Sequence, residues 1–201
     1  MTLPDPIIDT LRQVPGRVLD PSSDFDLNPD IKLPEGQVLR PAGVLIAVEI
    51  NAQGPQVYLT KRSSKLKHHP GQIAFPGGKM DDIDTDITAA ALREADEEIG
   101  LPPAHVEVLG TLAPHETVTG FAATPVLGLI HTPFTPNPEL GEVEEVFTVP
   151  LAHLLDLSNY RIEGRRWRGS TRHYYVAPYG PYYIWGATAR MLRDLARRYA
   201  A

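Results

Sequence analysis

The chain has 201 residues, no cysteine and a formal net charge of -6 at neutral pH. That length suits one globular domain with a sizeable core. The missing thiols exclude disulfides, thiolate metal sites and cysteine nucleophiles, and the acid excess argues against general nucleic-acid binding, which needs a basic surface. The N-terminal segment has no basic start followed by an apolar run, and no apolar stretch approaches the ~20 residues that span a bilayer. A cytoplasmic protein with no nucleic-acid or membrane partner is therefore expected.

In chain order, residues 5–14 place Ile7, Ile8, Leu11 and Val14 at helical spacing. Residues 15–36, rich in Pro, Asp and Ser, read as an extended arm. The expected organisation is a helix and arm over 1–36, then one domain over 37–201. The run AGVLIAVE at 42–49 is a buried strand, 57–61 is a second strand, and the turn at 51–55 joins them as a hairpin. A polar, basic loop at 63–70 leads to an extended piece at 72–75 and then to the turn Pro76-Gly77-Gly78.

The clearest helix is 86–99. Asp84 or Thr85 can cap it, and Asp86 suits the positive end of its dipole. Ala89, Ala90, Ala91 and Leu92 favour helix, Gly100 stops it, and Pro102-Pro103 prevents its resumption. Strands are expected at 106–112, 124–130 and 143–149, with a Pro-rich loop at 132–141 and a short helix at 151–155. Residues 172–176 and 182–185 read as a late hairpin. A terminal helix at 187–199 carries Met191, Leu192 and Leu195 at helical spacing. Strands and helices mix without regular βαβ alternation, which predicts an α+β fold, a mixed sheet with packed helices, and not a Rossmann fold or barrel.

Chemistry concentrates on one helix. Glu94, Glu97 and Glu98 stand at i, i+3 and i+4 and share a face. A bare glutamate cluster is more often a solvated surface, but this one follows Phe75-Pro76-Gly77-Gly78, a tight turn able to present a backbone carbonyl to the same cation. Packed carboxylates repel one another, and a hard divalent ion reverses the sign of that interaction. Arg93 reaches Glu97 at i+4. Just upstream, Lys61, Arg62, Lys65, Lys67, His68 and His69 crowd a short segment suited to a polyphosphate. Tyr174, Tyr175, Tyr179, Tyr182, Tyr183 and Trp185 offer either a stacking surface for a base or, more commonly, strand core. His115-Glu116 belongs to no zinc signature and reads as loop, and Gly77-Gly78-Lys79 is not a P-loop.

Residues 77–101, GGKMDDIDTDITAAALREADEEIGL, resemble the Nudix box, G-x5-E-x7-R-E-U-x-E-E-x-G-U with U aliphatic. Gly78, Arg93, Glu94, Glu97, Glu98, Gly100 and Leu101 match. Ala95 departs slightly at an aliphatic position, the first half is one residue longer, and Thr85 stands where the early glutamate is expected, with Asp84 beside it as a substitute. A second stretch is similar to the motif preceding the box in coenzyme A diphosphatases, L-L-T-x-R-S/A-x3-R-x3-G-x3-F-P-G-G. Leu59, Thr60, Arg62, Ser63, Gly71 and Phe75 to Gly78 match it, while Tyr58 and Lys67 replace a leucine and an arginine. Lys67 keeps the charge without a bidentate fork.

The resemblance implies a Nudix-type α/β/α sandwich with a mixed sheet. It implies Mg²⁺ or Mn²⁺ held chiefly by Glu94 and Glu98, with Glu97 and the Gly78 carbonyl assisting, and substrate contacts from Arg62, Ser63, Lys67, Gly71 and Phe75. The activity implied is hydrolysis of a small-molecule pyrophosphate, first of all coenzyme A, to 3',5'-ADP and 4'-phosphopantetheine. Another nucleoside diphosphate derivative (ADP-ribose, a dinucleotide, an oxidised nucleoside triphosphate) or a non-catalytic nucleotide-sensing domain stay open. Arg93 orients the acids. Glu98 is favoured as general base over Glu97, with Glu116, Glu142, Glu144 and Glu145 as carboxylates from distant segments. A homodimer is open.

Overall fold

Strict alternation along one strand sets the layers. In β2 (Arg40–Asn51), Leu45 and Ala47 point to one side of the sheet, Ile46 and Val48 to the other, and all four are fully buried. Such a strand needs cover on both faces. The computed structural model describes all residues except 1–5, 19, 32–35, 68 and 168, and all side chains of the rest except that of Trp167. Asp5 and His68, and part of the expected arm, lie outside the described residues.

The mixed sheet is built around β2. It pairs antiparallel with β3 (Gly54–Arg62) through the expected hairpin and parallel with β8 (Phe121–Ile130) along ten residue pairs. β3 continues to β9 (Val143–Pro150), and β8 to β6 (Val106–Thr111). On one face helix α2 (Ile87–Ile99) packs Ala91, Ala95 and Ile99 against Leu45, Ala47 and Val126. On the other, α1 (Pro6–Gln13), α3 (Leu151–Leu155) and α4 (Gly186–Ala200) bury Leu11, Leu154, Leu192 and Leu195 against Ile46, Val48, Leu59 and Leu127. This is the α/β/α sandwich. No helix among the described residues is long and apolar enough to cross a membrane.

Three local expectations change. Asp86 is the N-cap of α2, accepting the Ala89 N–H at 2.8 Å, so neither Asp84 nor Thr85 caps it. Residues 182–185 do not form the second strand of a hairpin. Instead β10 (Arg161–Trp167) pairs with β11 (Ser170–Val176), and only isolated bridges tie Trp185 to Val176 and Tyr182 to Tyr179. The charged, Gly-containing sequence of β10 has no apolar alternation to announce it, because this hairpin stands apart from the main sheet. His115 is not a loop residue. It lies in β7 (His115–Glu116), fully buried, and the arm's β1 (Ser22–Ser23) pairs parallel with it. Its Nδ1 meets Ser22 Oγ at 2.9 Å and its Nε2 meets Asp24 at 3.1 Å. The arm is thus bound down by a buried polar junction.

Candidate active site

Three glycines let α2 approach the sheet. A Cβ on Gly43 would come within 2.4 Å of the Ile87 carbonyl oxygen and 2.9 Å of the Ala91 nitrogen. Gly43 pairs with Gly78 of β5 (Gly77–Lys79). Gly77 has φ +153°, and a Cβ there would strike the Gly43 oxygen at 2.5 Å. A Cβ on Gly78 would meet the Glu94 carboxylate at 2.6 Å. The double-glycine bend is therefore a slot for acid side chains from the helix, and larger residues would close it.

Glu98 fills the inner end of that slot. It is 4% exposed, and its Oε2 accepts the Gly77 N–H at 3.1 Å. Burial drives its carboxyl pKa up to about 8; the Gly77 N–H and Arg62 oppose the shift, while Glu94 and Glu142 add to it. Glu94 is half-buried, and burial raises its pKa against the pull of Arg93. Glu97 is different: its side chain is 60% exposed at the rim and tied back to Arg93.

Arg93 organises this face. Its Nε and Nη2 donate to the two carboxylate oxygens of Asp84 at 2.9 and 3.0 Å, a bidentate clamp. Its Nη1 donates to Glu94 and to Glu97, both at 2.9 Å, and its Nη2 reaches the Lys79 carbonyl at 3.3 Å. Asp84, held below the ordinary carboxylate range chiefly by Arg93, anchors the guanidinium that orients two glutamates.

From the upstream segment, Arg62 brings Nη1 to 4.0 Å from Glu98. A β-bulge at Lys61–Arg62 turns the strand end. Gly71, at φ +70°, returns the loop so that its N–H donates to the Arg62 carbonyl at 3.0 Å. Ser63 is buried, and its N–H donates to the Glu142 carbonyl at 2.7 Å. Lys67 is exposed. Phe75 is 3% exposed and packs in the larger core, so it supports the bend from behind.

Of the distant carboxylates, Glu142 acts electrostatically on both Glu94 and Glu98. Glu144 pairs with Lys61 at 2.8 Å, Glu145 accepts from Tyr182 Oη at 2.5 Å, and the Glu116 main chain binds the arm. Sequence reasoning had no means to separate these four. It missed Gly43 outright, although a glycine inside an apolar strand signals close backbone approach.

The donors are all oxygen, the chemistry a hard cation selects. Half-buried Glu94 and buried Glu98, both raised by burial and by neighbouring carboxylates, are a place where a divalent ion would lower the energy of the ionised form. Among the described residues no three acid or imidazole side chains converge tightly enough to enclose a metal by themselves. The fit is to an open site in which water and phosphate oxygens complete the coordination.

Comparison with known proteins places these features in context. The NUDIX domain family model matches residues 39–168. The Nudix hydrolase NudL of Escherichia fergusonii, described as uncharacterized, is 45% identical over 157 residues, 78% of this chain and 81% of the relative. NudL of Enterobacter sp. (strain 638) is 41% identical over 182 residues, 85% of this chain and 94% of the relative. The crystal structure of the Nudix hydrolase RenU of M. smegmatis aligns with TM-score 0.50 and 25% identity over 61% of this chain and 84% of that one. The NUDIX domain of Shewanella oneidensis NrtR, crystallised with ADP ribose, aligns with TM-score 0.52 and 18% identity over 87% of this chain and 93% of that one, a likeness of fold.

Proposed function

The chain belongs to the Nudix hydrolase family, and from that premise we propose that it cleaves the pyrophosphate of coenzyme A or its derivatives to 3',5'-ADP and 4'-phosphopantetheine. One observation carries the reading: Arg62, from the segment that resembles the coenzyme A diphosphatase motif, stands 4.0 Å from Glu98, the most buried acid of the helix. That proximity supports reading the cation and the acid slot as one site.

In this reading residues 37–201 are the catalytic domain, and 1–36 are an N-terminal helix and arm whose β1 pairs along its edge. Glu94 and Glu98, with the Gly78 carbonyl and with Glu97 at the rim, hold Mg²⁺ or Mn²⁺. The bound ion supplies Lewis acidity at the phosphoryl oxygens. Arg62 and Lys67 bind phosphate oxygens, Ser63 and Gly71 shape the loop that presents them, and Phe75 fixes the bend beneath. Arg93 keeps Glu94 and Glu97 in orientation. Water attacks one phosphorus, its proton passes to Glu98, the bond to the bridging oxygen breaks, and two phosphomonoesters leave.

A panel of coenzyme A, acetyl-coenzyme A, ADP-ribose, diadenosine polyphosphates and 8-oxo-dGTP, each with Mg²⁺ and with Mn²⁺, tests this, with products identified by mass. Coenzyme A and its thioester are expected to turn over fastest. Untouched coenzyme A beside rapid ADP-ribose cleavage refutes the substrate assignment. Glu94→Gln and Glu98→Gln are expected to lower turnover by at least about a hundredfold with circular dichroism unchanged; full activity in either removes it from the metal site.

A further inference from the structure

A cavity of about 780 Å³ opens between the N-terminal arm and the β10–β11 hairpin, within the range of small-molecule sites. Its wall holds Arg165 and Arg172, which face each other across the two strands as a directly paired couple. Like charges in that register destabilise a hairpin unless something anionic lies between them. Among the described residues neither guanidinium lies within ion-pair distance of a carboxylate, and Arg172 Nε is buried with no hydrogen-bond partner. Glu163, the next acid on that face, is already taken by Arg161 at 2.7 Å and by Tyr183 Oη at 2.5 Å.

The aromatic cluster divides at the same place. Tyr175, Tyr179 and Tyr182 pack on the core, but Tyr174 and Trp185 line the cavity, edge to face with ring centroids 5.1 Å apart. Gln72 completes the connection to the acid slot. It lines the cavity, and its carbonyl accepts the N–H of Arg62, whose guanidinium reaches Glu98.

We propose that this cavity binds the nucleoside end of the substrate: Tyr174 and Trp185 take the base, and Arg165 and Arg172 clamp a phosphomonoester on the ribose, separate from the pyrophosphate being cleaved. This deepens the substrate assignment above and rests on it for the identity of the ligand. A nucleotide without that ribose phosphate leaves the two guanidinium groups facing each other uncompensated. The site therefore selects for the extra phosphate, not merely for an adenosine.

Equilibrium titration of the metal-free protein with 3',5'-ADP and with 5'-ADP tests the proposal without turnover, because both ligands carry two phosphates and differ in where they stand. The wild type is expected to bind 3',5'-ADP at least about tenfold more tightly, the factor of one charge-assisted phosphate contact. Arg165→Gln combined with Arg172→Gln is expected to bring that ratio close to one. Arg165 is exposed, so Arg165→Gln alone, expected to reduce the ratio, serves if the double variant does not melt cooperatively. A wild-type ratio of one, failure to bind either ligand, or a ratio that survives the substitutions overturns the pocket. Arginine-dependent binding of 3',5'-ADP by a protein that leaves coenzyme A intact sinks the substrate assignment and keeps the pocket; rapid coenzyme A cleavage with no such dependence sinks the pocket alone.

Discussion

Replacing Glu98 by Gln should make the metal-free protein more stable at alkaline pH while abolishing its chemistry. Burial raises the Glu98 carboxyl from its ordinary 4.5 to about 8. The folded protein therefore keeps a proton that the unfolded chain gives up, and stability falls as the pH climbs from about 4.5 to about 8. Below that window the contribution vanishes; above it the full cost of a buried carboxylate applies. At about 1.4 kcal/mol per pH unit, the ceiling is roughly 5 kcal/mol. The amide is nearly isosteric and can still accept the Gly77 N–H, but its new NH₂ enters a dry slot at a cost of about 1–3 kcal/mol. The net gain at pH 9 is then about 2–4 kcal/mol, or roughly 4–16 °C in melting temperature for a domain of this size. Melts of wild type and variant in EDTA at pH 5 and pH 9 isolate this contribution, since the other titrating groups are common to both. An equal gap between the two proteins at both pH values refutes the electrostatic account of the slot.

Arg93→Lys should lower kcat at least about tenfold, because an ammonium cannot replace the fork that spans Asp84, Glu94 and Glu97; Asp84→Asn should share the phenotype, and a kcat that stays at the wild-type level in both variants removes Arg93 as the positioning residue. Gly43→Ala should cost about 1–3 kcal/mol in urea unfolding, since its methyl would sit 2.4 Å from the Ile87 oxygen. An unchanged urea midpoint would mean that the helix yields without strain. Ser22→Ala should lower stability by about 1–3 kcal/mol by leaving buried His115 Nδ1 without its 2.9 Å partner, and limited proteolysis should cut the arm sooner. Cleavage at the wild-type rate would show that the arm is held elsewhere.

Helix α2 and its acids were legible in the chain because their information is local. Three glutamates at helical spacing, alanines before them and glycine after them specify an element and its face without reference to anything distant. The β2–β3 hairpin is equally local, and the alternation of Leu45, Ile46, Ala47 and Val48 already demands a covered layer on each side. Burial was not legible. Glu97 and Glu98 are neighbours of the same type, yet one stands at the rim and the other in a slot made by Gly43, Gly77 and Gly78, residues far from it in sequence or in another element. Which of four distant glutamates faces the site depends on where a loop returns after β8, and the choice of Glu142 follows from that path. Tyr174 and Trp185 line the cavity while Tyr175, Tyr179 and Tyr182 pack on the core, a division that no spacing along the chain announces. Spacing along a chain reports what a residue can do with its nearest turns; the energy of a charge depends on what excludes water around it, and only the packed tertiary structure decides that.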